Sequence, residues 1–170
     1  SSRLANALIA VGLKPGDRIG LLAKNCLEYV EVELAAAKAG FIVACLNWRL
    51  GDLELQHCIR LVEPAVVITQ PEFIGLLDRL ELPNHERIVI GKDYESFTAK
   101  GSPSLPETVV APEEGLVILY TSGTTGLPKG ALISHRAMLA RAACFASEFA
   151  SPIGDNFVAW APYYHMVSTD

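Results

Sequence analysis

Along this chain the apolar positions recur with two different periods, and the changes between them mark the elements. Leu4, Ala7 and Leu8 fall at helical spacing, and Gly12 supplies a stop. The turn Lys14-Pro15-Gly16-Asp17 leads into a short continuous apolar strand from Arg18 to Ala23. Leu27, Val30, Leu34 and Ala35 predict one face of a helix that ends at Gly40, and Phe41 to Leu46 predicts a second buried strand. Asp52 to Val62 reads as a helix with Leu53, His57 and Leu61 on its face, followed after Pro64 by the strand Ala65 to Thr69. Phe73, Leu76, Leu77 and Leu80 predict a further helix before the strand Arg87 to Ile90.

Continuous apolar strands separated by amphipathic helices are the pattern of a mainly parallel sheet covered on both faces. With right-handed crossovers, the expected fold class is α/β with a doubly wound sheet. Residues 98–114 break the pattern. Pro103, Pro106 and Pro112 with Gly101 predict a surface linker there. Beyond it, Leu116 to Tyr120 is another apolar strand, and Ser134 is placed to cap a helix with Met138, Ala142, Phe145 and Phe149 on its apolar face. The expected division is residues 1–115 as one α/β part and residues 116–170 as strand, loop and helix of the same continuing domain.

Composition narrows the class. The chain has 170 residues, of which 51% are hydrophobic and 19% charged, a balance that excludes a disordered tail. No apolar run reaches the roughly 18 residues of a membrane span, and no secretory leader is apparent at Ser1, so a cytoplasmic location is expected. A net charge of -5 argues against nucleic acid as a partner. The excess acidity lies in residues 61–115, with ten acidic side chains against four basic, whereas residues 116–170 carry three of each. An anionic ligand therefore meets least repulsion in the final third. Cys26, Cys45, Cys58 and Cys144 form no Cys-x-x-Cys pair and are expected as free thiols, and His57, His85, His135 and His165 lack metal-ligand spacing, so no protein-held metal is expected.

The chemistry concentrates after the strand ending at Tyr120. Thr121-Ser122-Gly123-Thr124-Thr125-Gly126-Leu127-Pro128-Lys129-Gly130 combines three glycines, four hydroxyls and one lysine. Glycines let backbone N–H groups approach a ligand closely, and a tight turn of such amides forms an anion-binding concavity. With the Lys129 charge, the segment suits polyphosphate. It is not a Walker-type loop, which needs Gly-Lys followed by Ser or Thr; here Pro128 precedes Lys129 and Gly130 follows it.

Tyr120 to Gly130 closely resembles the signature loop of the adenylate-forming (AMP-binding) enzymes, which include acyl-CoA synthetases, aryl-CoA ligases, luciferases and the adenylation domains of peptide synthetases. The resemblance covers essentially the whole chain. Upstream it includes Gly12 to Ile19, Ala37-Lys38-Ala39-Gly40 and Leu46-Asn47-Trp48-Arg49-Leu50; downstream it includes Ser134-His135-Arg136 and Pro162-Tyr163-Tyr164-His165. The Asn47-Trp48-Arg49 turn and Ser134-His135-Arg136 are more like acyl-CoA ligases than peptide synthetases.

The resemblance implies an acid-thiol ligase that uses ATP, magnesium and coenzyme A to activate a carboxylic acid, fatty or aryl, through an acyl-adenylate. By the same resemblance, Thr121, Ser122, Gly123, Thr124, Thr125, Gly126 and Lys129 hold the ATP phosphates. His165 stands at the acyl or carboxylate side, and Tyr164 is a pocket wall. His135 is expected in the first turn of its helix rather than in catalysis. Family members are much longer, so the expectation is an N-terminal fragment that is inactive in isolation. An apolar patch or a homo-oligomer contact is expected near its C-terminus. Two alternatives are an adenylation domain that loads a carrier protein, and a non-catalytic nucleotide- or acyl-binding module.

Overall fold

The computed structural model describes residues 1–82, 85–121, 126–148 and 160–165. In chain order, α1 (Ser2–Ala10) leads to β1 (Arg18–Leu22), α2 (Leu27–Ala39) to β2 (Ile42–Cys45), and α3 (Asp52–Val62) to β3 (Val66–Thr69). A 3-10 turn (Pro71–Phe73) opens α4 (Ile74–Arg79), which is followed by β4 (Glu86–Val89) and α5 (Tyr94–Ala99). The described elements end with β5 (Gly115–Thr121), β6 (Lys129–Ser134) and α6 (His135–Glu148).

The six strands form one sheet in the order β4-β3-β1-β2-β5-β6. The first five run parallel, and β6 alone is antiparallel, pairing with β5. Helices cover both faces, as the doubly wound expectation requires. Ile19, Leu21, Val43 and Ile68 point into a core shared with α1, α2 and α5. The alternating positions Leu22 and Val67, with Leu46, meet α3 and α4 through Leu55, Ile59 and Leu77. The connection from β1 goes to β2 on one side, and the next crossover returns past β1 to β3. The switch point, where open α/β sheets hold ligands, thus lies between the carboxyl ends of β1 and β3, with those of β2 and β5 further along the same edge.

Two helices present faces other than those read from spacing. On α2 the fully buried line is Tyr29, Val32, Ala35, Ala36 and Ala39, while Leu27 is 82% and Leu34 52% exposed. On α3 it is Leu55, Cys58, Ile59 and Val62, with Leu53 and Leu61 outward. Both helices carry apolar residues on two sides, so periodicity admits two registers. On α2 the alanines win because their small side chains allow close approach to the sheet and to α1. No residue of α6 is buried; Met138 packs partly against the core and Phe145 is exposed. Phe149 lies outside the described residues.

The stretch read as a linker is irregular after its first two residues, which belong to α5. It is fastened to α1: Arg3 Nη1 donates to the Gly101 carbonyl at 3.2 Å, and Asn6 Nδ2 donates to the carbonyls of Ser102 and Ser104 at 2.9 and 2.8 Å. The four cysteines are free. Among the described residues no helix is long and apolar enough to cross a membrane. Toward the C-terminus, Leu127, Leu132, Leu139 and Trp160 are exposed large apolar side chains.

Candidate functional site

The glycine-rich segment connects β5 to β6, which pair as antiparallel neighbours. Thr121 pairs with Lys129, Tyr120 with Gly130 and Leu119 with Ala131. Helix α3 fixes both ends of this segment. The Tyr120 hydroxyl donates to the Cys58 carbonyl at 2.9 Å, and His57 Nε2 lies 3.1 Å from the Pro128 carbonyl, which it reaches as the Nε2–H tautomer. Burial pushes the Tyr120 phenol up, and after it the neighbouring thiols, so this group stays protonated and acts as a strut. The Cys58 thiol is likewise pushed up to about 12, chiefly by burial and then by the Glu54 charge, and is inert near neutral pH. Gly126 has φ 132°, a conformation that side chains rarely adopt, and a Cβ there would meet nothing within 4 Å. The constraint at Gly126 is therefore the backbone path of the loop, not crowding.

The second part of the site is the turn at residues 161–165, closed by His165 N–H donating to the Pro162 carbonyl at 3.0 Å. It lies over the β1–α2 loop. Asn25 Nδ2 donates to the Ala161 carbonyl at 2.7 Å, and the Tyr163 N–H donates to Asn25 Oδ1 at 2.9 Å. The Tyr163 ring packs on Tyr29 with centroids 5.3 Å apart. Tyr164, 8% exposed, meets Trp48 edge-on at 6.4 Å, and Trp48 stacks on Phe73 at 6.0 Å. Arg49 and Lys24 lie over the Trp48 ring, 4.8 and 5.6 Å from its centroid.

These parts enclose a cavity of about 490 Å³ at the carboxyl edge of the sheet. The β2–α3 corner gives it Asn47, Leu50 and Glu54; β5 gives Tyr120 and Thr121; the loop gives Gly126 and Pro128; the turn gives Tyr164 and His165. Thr121, Gly126 and His165, singled out from sequence, thus line the same cavity. Lys129 is exposed at the loop's exit, opposite Thr121. Ser122, Gly123, Thr124 and Thr125 lie outside the described residues. A larger depression of about 790 Å³, between Arg60, Glu63, Glu81 and His85, opens at the amino ends of β3 and β4 and gathers none of the residues singled out from sequence.

His135 lies away from this cavity. Its N–H donates to the Glu114 carbonyl at 3.1 Å, at the opposite end of β5 from the loop. Burial lowers its pKa and the Glu114 charge opposes that, and among the described residues its Nε2 has no hydrogen-bond partner. Ser134 caps α6 as expected, its Oγ accepting from the Ala137 N–H at 3.3 Å. Spacing gave no sign of Asn25 or Glu54 in the site. Glu54 Oε2 accepts the Gly51 N–H at 3.0 Å as half of a capping box, which is why its carboxyl stands in the cavity wall.

The family model described as AMP-binding enzyme matches residues 1–170. The chain belongs to the AMP-binding enzyme family. It is 33% identical over 172 residues to the fatty acid–acyl-carrier-protein ligase ScoC of Streptomyces coeruleorubidus, covering 98% of this chain and 33% of that protein. It is 37% identical over 134 residues to the feruloyl-CoA synthase of an Amycolatopsis species, covering 79% of this chain and 26% of that protein. The inhibitor-bound N-terminal domain of FACL13 from Mycobacterium tuberculosis superposes with a TM-score of 0.91 at 26% identity, over 99% of this chain and 44% of that one. The chain spans about a third of the length of the curated relatives it matches. In this member of the AMP-binding enzyme family, Thr121, Gly126 and Pro128 line one cavity with the turn that carries His165.

Proposed function

We propose that this chain supplies the phosphate-handling loop and the acyl-side turn of an AMP-forming acid-thiol ligase. Residues 1–115 would be the α/β part of its adenylation domain, and residues 116–170 the loop, helix and start of the acyl-side motif of the same domain. The observation that carries this reading is the shared cavity. The two ends of the loop, at Thr121 and Gly126, and the His165 turn line one space at the carboxyl edge of the sheet.

In the first step a carboxylate oxygen attacks the α-phosphorus of ATP; the new P–O bond forms as the bond to pyrophosphate breaks. The backbone and hydroxyls of Thr121 to Gly126 would face the β- and γ-phosphates, with Lys129 as the mobile cation. Their contribution is positioning and charge stabilisation rather than covalent chemistry. His165, from its turn, would orient the carboxylate beside that centre. In the second step a thiolate attacks the acyl carbon and AMP leaves. Among the described residues no three His, Cys, Asp or Glu side chains gather into a metal group. Glu54 is the one carboxylate among the described residues of the cavity wall, and it would help to hold magnesium beside the ATP phosphates. When bound, that ion offsets the phosphate charge that repels an anionic nucleophile.

The acceptor thiol in this reading is coenzyme A, in keeping with the Asn47-Trp48-Arg49 turn and the likeness to a feruloyl-CoA synthase. A second reading, transfer to a carrier protein's phosphopantetheine, is favoured by the likeness to ScoC, which extends over nearly the whole chain. The test is to give the complete gene product ATP, magnesium and a panel of fatty and aryl acids. Either coenzyme A or a holo carrier protein is then supplied, and thioester is detected by mass spectrometry. Acyl-CoA is the expected product. Thioester on the carrier alone would establish the second reading, and AMP release with no acid in the panel would overturn both.

A further inference from the structure

We infer that Asn25 is the positioning residue of the acyl-side turn: its side-chain amide fixes the backbone of residues 161–165 and so determines where the His165 imidazole stands. The inference rests on the ligase reading for what that imidazole does, but the brace itself is a matter of geometry. One planar group makes two bonds of opposite sense to the turn, Nδ2 to the Ala161 carbonyl at 2.7 Å and Oδ1 from the Tyr163 N–H at 2.9 Å. Between these two anchors sits Pro162, which has no N–H to offer. The turn's own closure, from the His165 N–H to the Pro162 carbonyl, begins where the Asn25 bonds end.

Only a carboxamide carries a donor and an acceptor side by side, and glutamine would place them one methylene too far out. An aspartate of the same shape keeps the acceptor but turns a negative oxygen toward the Ala161 carbonyl. The brace is itself anchored. The Lys24 N–H, one residue earlier, donates to Gln70 Oε1 at 2.8 Å, tying the β1 loop to the end of β3. Tyr29, one turn into α2, supports the Tyr163 ring from below. Asn25 therefore joins the rigid switch point of the sheet to a turn more than a hundred residues away.

The test uses the complete gene product with Asn25→Ala, Asn25→Leu, His165→Ala and the Asn25→Ala/His165→Ala double variant. Amide hydrogen exchange of the peptide containing Tyr163 should quicken roughly tenfold in Asn25→Ala, while peptides from β1 and β3 stay protected. Carboxylate-dependent ATP–pyrophosphate exchange should lose roughly ten- to a hundredfold in kcat/KM for the acid, with the KM for ATP unchanged. The double variant should be no worse than His165→Ala alone, because Asn25 acts through the turn that carries the histidine. Additive losses, or a matching rise in the KM for ATP, would overturn the assignment. If Asn25→Ala does not fold, Asn25→Leu, of similar shape without either polar atom, supplies the same comparison. A wild-type protein that exchanges pyrophosphate with no acid refutes the ligase reading; the Tyr163 amide still decides the brace, and unchanged protection in the Asn25→Ala and Asn25→Leu variants would refute it.

Discussion

Glu33 gives the protein a pH-dependent weakness in its core. It lies half-buried on α2 with Oε1 3.9 Å from Cys45 Sγ, and one turn earlier Tyr29 is fully buried. Burial pushes the Glu33 carboxyl up from its ordinary 4.5 to about 7, and the weak contact with Cys45 opposes only part of that. Between those two values the folded protein holds a proton that the unfolded chain has released, so stability falls as pH rises through the window and levels off above it. At about 1.36 kcal/mol per pH unit the full interval is worth about 3 kcal/mol. Residual hydration of a half-buried carboxyl brings the expectation to about 2 kcal/mol. Glu33→Gln removes the titration and keeps the shape. Urea unfolding followed by circular dichroism at pH 5, 6, 7 and 8 should give similar stabilities at pH 5 and a variant more stable by about 2 kcal/mol at pH 8. Subtracting the two profiles cancels every other titrating group. A stability difference that stays constant across this range would refute the reasoning.

Two further substitutions probe how the scaffold holds the site. A Cβ at Gly101 would stand 1.9 Å from the Arg3 carbonyl oxygen and 2.8 Å from the Ala7 nitrogen, both backbone atoms. Gly101→Ala must therefore push α1 away from the 98–114 segment, at a cost of about 3 kcal/mol or more, which thermal unfolding will register. Tyr120→Phe removes the bond to the Cys58 carbonyl and should cost about 1 kcal/mol in the same assay, with the circular dichroism spectrum of the native state unchanged.

The α/β architecture was legible because apolar strands buried on both faces leave an unmistakable run, from Ile19 to Ala23 and from Phe41 to Leu46. Helix faces were less so. Leu27 and Leu34 have the right spacing, but α2 buries its alanines instead, and spacing carries no information about which side must lie close to the sheet. Helix α5 and strand β6 went unread for different reasons. Six residues from Tyr94 to Ala99 are too few for a period to register, and Lys129 to Ser134 earns its strand only by pairing with β5. In the site, Thr121, Gly126 and His165 were legible as motifs, and their convergence follows from all three standing at the carboxyl edge. Asn25 was not, because its partners Ala161 and Tyr163 are brought to it by the fold alone.

The central claim, that the loop from Thr121 to Lys129 handles ATP phosphates during carboxylate activation, is tested most directly by carboxylate-dependent ATP–pyrophosphate exchange in the complete gene product and its Lys129→Ala variant. Removing one exposed, mobile cation should leave the fold intact and lower the exchange rate at fixed ATP by roughly tenfold or more, as expected of a group that stabilises phosphate charge. Exchange by the wild type that Lys129→Ala leaves unchanged would contradict the account.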